Sequence, residues 1–248
     1  MCGIIGLYHP TENVAGEIYD ALIQVQHRGQ DAAGIAAINK NKISVHKDLG
    51  VVTEVFKTVE SLDLKGNVGI GHVRYPTAGC SDVSEAQPFH TINPVEICLA
   101  HNGTLTNSDE MREFLLNKKF CKFNTQSDSE VLLNLFAYEL SQTSFEVLES
   151  FHVFSALKEV YKRCEGGFAV AVLVEGVGLV GFRDSNGIRP LVLGKKDDGS
   201  FMVASESSAL SALGYIFESD VNPGEAIIIS EQGLSLIHIS EPTRPRLI

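Results

Sequence analysis

The chain has 248 residues, of which 44% are hydrophobic and 21% are charged, and its formal net charge is −11. This composition is that of a globular protein and excludes a disordered or collagen-like chain. The negative charge argues against nucleic acid as a partner, and no apolar run reaches the ~18 residues of a membrane span.

Strands predominate among the predicted elements. Apolar patterns predict strands at residues 2–8, 34–38, 42–47, 67–75, 96–101, 168–175, 178–183, 190–195, 201–205 and 225–230. Helical periodicity predicts helices at residues 17–26, 109–118, 129–140, 155–163 and 207–213.

The order of these elements predicts an α+β fold. Because strands mostly follow strands and the helices form separate blocks, the sheets should be antiparallel. Some strands are apolar at successive positions, as at residues 169–174, so both of their faces must be covered. Two stacked sheets with helices outside them satisfy this requirement, which predicts a four-layer αββα sandwich.

The last fifteen residues differ from the rest of the chain. Residues 234–244 read LSLIHISEPTR, show no clear element pattern, and resemble a translated sequencing adapter fused to an interrupted gene. A genuine flexible C-terminus is the alternative. We therefore place the domain at residues 2–233 and leave residues 234–248 out of the fold prediction.

The cysteines indicate a reducing compartment. There are five of them, an odd number, and no pair has the CxxC spacing. The N-terminus lacks the basic stretch of a signal peptide, so we expect a cytoplasmic protein without disulfides. Without an HExxH motif or clustered Cys and His residues, no metal site is expected.

Cys2 is the first residue that could carry chemistry. Removal of Met1 would place a free α-amine and a thiol on one residue. An α-amine has a pKa near ~8, well below the ~10.4 of lysine, so it can accept the thiol proton near neutral pH. The alternative is that Cys2 is simply a small residue at the start of a strand.

Three other positions could bind or polarise a substrate. Arg74 ends a predicted strand before a Pro/Gly-rich turn and could grip a carboxylate, unless it is an ordinary solvated arginine. The pair Asn102-Gly103 is predicted to form a turn that could serve as an oxyanion hole, or a plain hairpin turn. Asp128 lies in a predicted capping box at residues 127–130, where it could bind an ammonium group or merely offset the helix dipole.

Taken together, these segments resemble the class II glutamine amidotransferases, which are N-terminal-nucleophile hydrolases. The resemblance is carried by MCGIIG at residues 1–6, QHRGQD at 26–31, HVRYPTAG at 72–79 and RDSNGIRPL at 183–191. ASES at 204–207 and PGEA at 223–226 add to it. Within the class, the longer stretches are similar to the amidophosphoribosyltransferase family, over residues 1 to about 233.

The resemblance implies the N-terminal-nucleophile hydrolase fold and a set of catalytic roles. Cys2 would attack the side-chain amide of L-glutamine, with its own α-amine as base. Asn102 and the backbone N–H of Gly103 would stabilise the oxyanion. A thioester would form, ammonia would leave, and water would then release glutamate.

The resemblance also implies the substrate-binding residues. Arg74 would hold the α-carboxylate of glutamine and Asp128 its α-ammonium group, while Arg28 would position the N-terminal strand. Tyr75 and Thr77 belong to a loop, from Arg74 to about Ser84, that would close over the substrate. His27, His72 and His101 would be structural.

In this family the chain continues into a phosphoribosyltransferase domain, for which we find no segment here. The resemblance implies that the missing domain is a partner of this one, that only it needs Mg²⁺, and that this domain needs no cofactor. The full-length protein would be a homo-oligomer that uses the ammonia to convert phosphoribosyl pyrophosphate to 5-phosphoribosylamine, the first committed step of de novo purine synthesis. A class II amidotransferase that serves another acceptor, and an inactive regulatory module, stay open as alternatives.

Overall fold

The computed structural model describes residues 1–57, 64–75 and 82–239. The strands in these ranges are β1 (Gly3–Tyr8), β2 (Ala32–Asn39), β3 (Lys42–Leu49), β4 (Val68–Arg74), β5 (Phe89–Thr91), β6 (Ile97–Leu105), β7 (Gly166–Val174), β8 (Gly178–Arg183), β9 (Val192–Lys195), β10 (Phe201–Ala204), β11 (Ile216–Asp220), β12 (Glu225–Ser230) and β13 (Gly233–His238). The helices are α1 (Ala15–Gln24), α2 (Val52–Val55), α3 (Ser108–Asn117), α4 (Asp128–Ser141), α5 (Ser150–Arg163) and α6 (Ser207–Ala212).

The described strands form two antiparallel sheets. The first has seven strands in the order β11-β9-β10-β1-β4-β2-β3, and the second has six in the order β13-β12-β8-β7-β6-β5. Strand β1 therefore lies in the middle of the first sheet, paired with β4 on one side and β10 on the other. None of the described helices is long and apolar enough to cross a membrane.

The hydrophobic core fills three interfaces. Side chains such as Ile4, Ile70 and Leu173 pack between the two sheets. The outer face of the first sheet is covered by α1 and α6, and that of the second by α3, α4 and α5. Helices therefore lie outside both sheets, which confirms the predicted αββα sandwich and explains why its central strands are apolar at successive positions.

Sequence patterns missed the elements at the margins of the sheets. Strand β11 has every residue exposed, so it carries no alternation that could reveal it. Strand β13 pairs with β12 along its whole length, although most of it lies in the segment that was left out of the fold prediction. Helix α5 begins at Ser150, five residues before the predicted start, with Glu149 at its N-cap.

The RDSNGIRPL stretch forms a loop that is tied together by its own charged side chains. The Asp184 carboxylate is buried and accepts backbone N–H groups from Phe168, Asn186 and Ile188 at 2.9 to 3.0 Å. The Arg183 guanidinium donates to the carbonyl oxygens of Gly187 and Val221, among others. The loop is thereby fixed against the start of β7.

The Asp184 carboxylate should be a major contributor to stability. In Asp184→Ala, buried amides lose a charged acceptor, so we expect the free energy of unfolding to fall by about 3–5 kcal/mol. Urea denaturation measures this change. The matched control is Asp197→Ala at an exposed turn, with an expected change below about 0.5 kcal/mol. A loss below about 1 kcal/mol in Asp184→Ala would contradict the role given to this carboxylate.

Candidate active site

The start of β1 is held from both sides, which fixes the position of Cys2. The Ser205 hydroxyl accepts the backbone N–H of Ile4 at 2.9 Å. Arg28, in a short 3-10 helix, donates its Nε–H to the Cys2 carbonyl oxygen at 2.9 Å and its Nη1–H to Glu206 at 2.6 Å. Arg28 thus supports Cys2 from behind and does not line the cleft described below.

The Cys2 thiol is partly buried and meets groups of both charges. Its sulfur accepts the backbone N–H of Tyr75 at 3.5 Å. Burial raises the pKa of the Cys2 thiol. This effect outweighs three groups that lower the pKa, the Tyr75 N–H, the α-amine of Met1 and the Arg74 guanidinium. The Asp128 carboxylate adds to the rise, so the resting group is a thiol rather than a thiolate.

Arg74 ends β4, next to the start of β1 and opposite Ala32 on β2. Its Nη1 donates to Asp31 at 2.6 Å, which anchors one side of the guanidinium. The chain at Gly29 passes so close that a Cβ there would lie 2.4 Å from the Arg74 carbonyl carbon. Arg74 is therefore held at a defined position at the cleft.

Asn102 and Gly103 do not form the predicted turn. They lie inside β6, which stays paired with β7 as far as Leu105 opposite Gly166. A Cβ on Gly103 would lie 2.3 Å from the carbonyl oxygen of Gly167, so the glycines let the two strands approach closely. Pairing with β7 overrides the local turn preference of the Asn-Gly pair.

The Asn102 carboxamide is buried and, within the described part of the chain, has an unpaired N–H donor. The residue is 1% exposed, and its Nδ2 has no hydrogen-bond partner among the described residues. On β6, Cys98 and Ala100 face the space between the sheets, and Asn102 continues that face of the strand. The unpaired donor is thus on the side of β6 that faces the first sheet, where Cys2 lies.

Asp128 is the first residue of α4, one residue before the predicted start, with Ser127 as the N-cap. The cap differs from the predicted capping box, because the Ser127 hydroxyl accepts the backbone N–H of Ser129 at 3.2 Å. The Glu130 carboxylate turns away to accept the backbone N–H groups of Asn124 and Thr125 at 2.9 and 2.8 Å. Asp128 Oδ2 accepts the Leu105 N–H at 2.9 Å. This bond joins the start of α4 to the end of β6.

These groups surround a cleft of about 720 Å³, a size typical of small-molecule sites. Of the residues predicted from the sequence, Cys2, Arg74, Tyr75, Gly103 and Asp128 line it. Asn102 lies next to Gly103 on β6. Thr77 lies outside the described residues, as do the other residues at 76–81 of the predicted loop. No group of three or more His, Cys, Asp or Glu residues in the described ranges could hold a metal ion.

Several residues that support the site were not predicted from the sequence. These are Gln87, Ser129, Ser205 and Glu206, and all of them act through hydrogen bonds to distant segments. ASES at 204–207 was the one signal for Ser205 and Glu206, although it gave no role to either. Ser129 lies next to Asp128 inside the predicted capping box but received no role there, and Gln87 lies in no recognised motif.

Two buried histidines stand at the cleft, where His101 is one of the lining residues and His72 contacts it. His72 Nε2 is 3.2 Å from the His101 carbonyl oxygen, and His101 Nδ1 is 2.8 Å from the Ser129 hydroxyl. Burial lowers the pKa of His72 to about 3, and nearby His101, Arg74 and Lys47 add to the effect. Burial also lowers the pKa of His101 despite the Asp128 carboxylate 3.9 Å away, so we treat that contact as one with a neutral imidazole.

The low pKa of His72 predicts a loss of stability in acid. Between the unfolded pKa near ~6.5 and the folded pKa of about 3, the unfolded chain binds a proton that the folded chain does not. The free energy of unfolding should therefore fall with falling pH in that window, by up to about 1.4 kcal/mol per pH unit from this group. Urea titrations from pH 7 to pH 4 on the wild type and His72→Gln measure this slope. Equal slopes for the two proteins would contradict the prediction.

Two antiparallel sheets between helices, with a cysteine at the start of a central strand, define a class II glutamine amidotransferase of the N-terminal-nucleophile hydrolase type. The chain belongs to the family described as the glutamine amidotransferase domain, which matches residues 72–212.

The relatives of the chain narrow this assignment. It is 50% identical over 238 residues to the amidophosphoribosyltransferase of Escherichia coli (strain K12), covering 94% of this chain and 47% of that protein. It is 48% identical over 237 residues to the amidophosphoribosyltransferase of Pasteurella multocida (strain Pm70), with 94% and 47% covered. A solved structure described as the allosteric regulatory enzyme of purine biosynthesis superposes with a TM-score of 0.84 at 32% identity, covering 96% of this chain and 49% of the other. The chain therefore resembles amidophosphoribosyltransferases while spanning about half of their length.

Proposed function

We propose that this chain hydrolyses L-glutamine to glutamate and ammonia through a thioester on Cys2. One observation carries the proposal. A thiol, a cation and a carboxylate meet at one cleft, next to a buried amide donor on Asn102 that has no partner among the described residues. A buried unpaired donor costs stability, which suits a group kept for a charge that develops during reaction.

The charges at the cleft match a free amino acid. Arg74 would bind the α-carboxylate, because a guanidinium carries five N–H donors and the bond to Asp31 uses one of them. Asp128 would bind the α-ammonium group, with its carboxylate oriented by the Leu105 N–H. The side-chain amide of the bound glutamine would then reach towards Cys2 and Gly103.

The chemistry requires a base, because burial keeps the Cys2 group protonated. With Met1 removed, the α-amine of Cys2 would take the thiol proton while the sulfur attacks the amide carbon. The Asn102 Nδ2–H and the Gly103 N–H would stabilise the oxyanion. The resulting ammonium group would return its proton to the departing nitrogen, releasing ammonia and leaving a thioester. Water activated by the same amine would release glutamate and restore the thiol.

The fate of the ammonia is inferred from the relatives. We propose that a second half of the protein, absent from this chain, uses it to convert phosphoribosyl pyrophosphate to 5-phosphoribosylamine with Mg²⁺. The coverage of 47% of the Escherichia coli enzyme supports this division.

We also propose that the protein resides in a reducing compartment such as the cytoplasm. This is supported by four free thiols among the described residues, those of Cys2, Cys98, Cys121 and Cys164.

Removal of Met1 should switch on glutamine hydrolysis. We expect glutamate release from protein without Met1, and none from protein that keeps it or from Cys2→Ser, because a peptide nitrogen cannot act as the base. Intact mass gives the N-terminal state, and an assay for glutamate and pyrophosphate gives the activity. Hydrolysis by protein that retains Met1 would exclude the α-amine mechanism. Pyrophosphate release by this chain alone would place the acceptor site here instead of in the absent half.

Asn102→Ala should impair turnover more than binding. It removes one oxyanion donor, so kcat for glutamine should fall by about 10²–10³-fold while KM changes little. Steady-state kinetics on protein without Met1 measure both constants. If kcat stayed intact and KM rose instead, Asn102 would be a binding residue and the assigned role would be wrong.

A further inference from the structure

The Gln87 carboxamide connects two parts of the candidate site. Its Oε1 accepts the His101 N–H at 2.7 Å, and its Nε2 donates to the His101 carbonyl oxygen at 3.3 Å. The same Nε2 donates to the Ser129 hydroxyl at 3.0 Å. One buried side chain thus binds both β6 and α4.

Gln87 takes the place of a missing strand residue. Strand β5 pairs Phe89 with Leu99, and the antiparallel register would place residue 87 opposite His101. Strand β5 begins at Phe89, so the backbone pairing stops there. The carboxamide supplies the acceptor and the donor that a neighbouring strand would have supplied.

The backbone around Gln87 is fixed to the first sheet. Lys47 on β3 donates to the carbonyl oxygens of Ala86 and Pro88 at 2.5 and 3.1 Å. On β2, a Cβ at Gly34 would lie 2.1 Å from the Gln87 carbonyl oxygen, so only glycine allows this approach. The backbone of Gln87 is therefore held against the first sheet, while its side chain binds β6 of the second sheet and helix α4.

The two residues that Gln87 binds stand next to the two ends of the site. His101 precedes Asn102 and Gly103, and Ser129 follows Asp128. The Ser129 hydroxyl also lies 2.8 Å from His101 Nδ1, which closes a triangle of three buried residues, Gln87, His101 and Ser129. This triangle sets the separation between the oxyanion donors and the carboxylate.

We propose that Gln87 is a positioning residue that fixes this separation and so makes the site select glutamine over asparagine. The inference rests on the proposed function, in which the two ends hold the amide oxygen and the α-ammonium group. Asparagine is one methylene shorter, so it cannot reach both ends when their separation is rigid. We call the hydrogen bonds of Gln87 to His101 and Ser129 the clamp. Without the clamp, the oxyanion donors and the Asp128 carboxylate could move relative to each other, and the selection of glutamine over asparagine would weaken.

The test compares Gln87→Met, which keeps the size of the side chain but forms none of these bonds, with the wild type. We expect kcat/KM for glutamine to fall about 10- to 100-fold, chiefly through KM, because small displacements of bound groups are costly. The ratio of kcat/KM for glutamine over asparagine should fall at least about tenfold, the scale on which one methylene is discriminated. Gln87→Glu keeps the acceptor for the His101 N–H and should regain part of the ratio.

Two further variants keep the test decisive. Ser129→Ala removes the helix side of the triangle and should lower the ratio in the same direction, which covers the case where Gln87→Met does not fold. Asn67→Leu is the matched control, since the Asn67 amide donates to the His9 carbonyl oxygen at 2.9 Å at the opposite end of β1. It should leave the ratio unchanged, and thermal melting should show each variant folded.

Binding measurements separate this inference from the proposed function. In a Cys2→Ser background, calorimetry with glutamine and with asparagine reports selectivity without hydrolysis. If adding Gln87→Met shifts the binding preference from glutamine towards asparagine, the positioning role of Gln87 is supported. If the wild type also shows no turnover, only the proposed hydrolysis is overturned. Folded Gln87→Met and Ser129→Ala proteins with wild-type selectivity, or an equal shift in Asn67→Leu, would overturn the clamp.

Discussion

The position of β1 between β4 and β10 is the constraint on which the rest of the site depends. Because β1 is paired along both edges, its first residues cannot shift without breaking the middle of the sheet. Arg74, at the end of β4, and Ser205, directly after β10, are then the residues next to its start. Arg74 lines the cleft, and the Ser205 hydroxyl accepts the Ile4 N–H. Cys2 is thus placed by the backbone ladder, and its side chain needs little support of its own.

The second sheet contributes the complementary half of the site. It presents Asn102 and Gly103 from β6 and, through α4 packed outside it, the Asp128 carboxylate. The site therefore spans the boundary between layers, and its geometry depends on how the layers are joined. Bonds such as Leu105 N–H to Asp128 join neighbouring elements, while the Gln87 and His72 contacts join the two sheets.

The sequence predicted the features that a local pattern can encode. Residues 169–174 are apolar at every position, and this alone required a strand covered on both faces. The predicted Asn-Gly turn is wrong because the local preference of one residue pair was weighed without its pairing to Ala169 and Phe168, which lie more than sixty residues away. The capping role predicted for Glu130 is wrong for a similar reason. Its spacing from Ser127 fits a capping box, but its hydrogen-bond partners Asn124 and Thr125 lie before the helix. Strand β11 lacked a signal because every residue is exposed.

The position of Cys2 at the end of a buried central strand also restricts what can precede it. Met1 already reaches across to Arg189, with its sulfur 2.9 Å from that guanidinium. Any longer peptide joined to the amino side of Cys2 must start at a residue that lines the cleft. An affinity tag fused there would turn the Cys2 α-amine into a peptide nitrogen until a protease released it, so a purification tag is better placed at the other end of the chain.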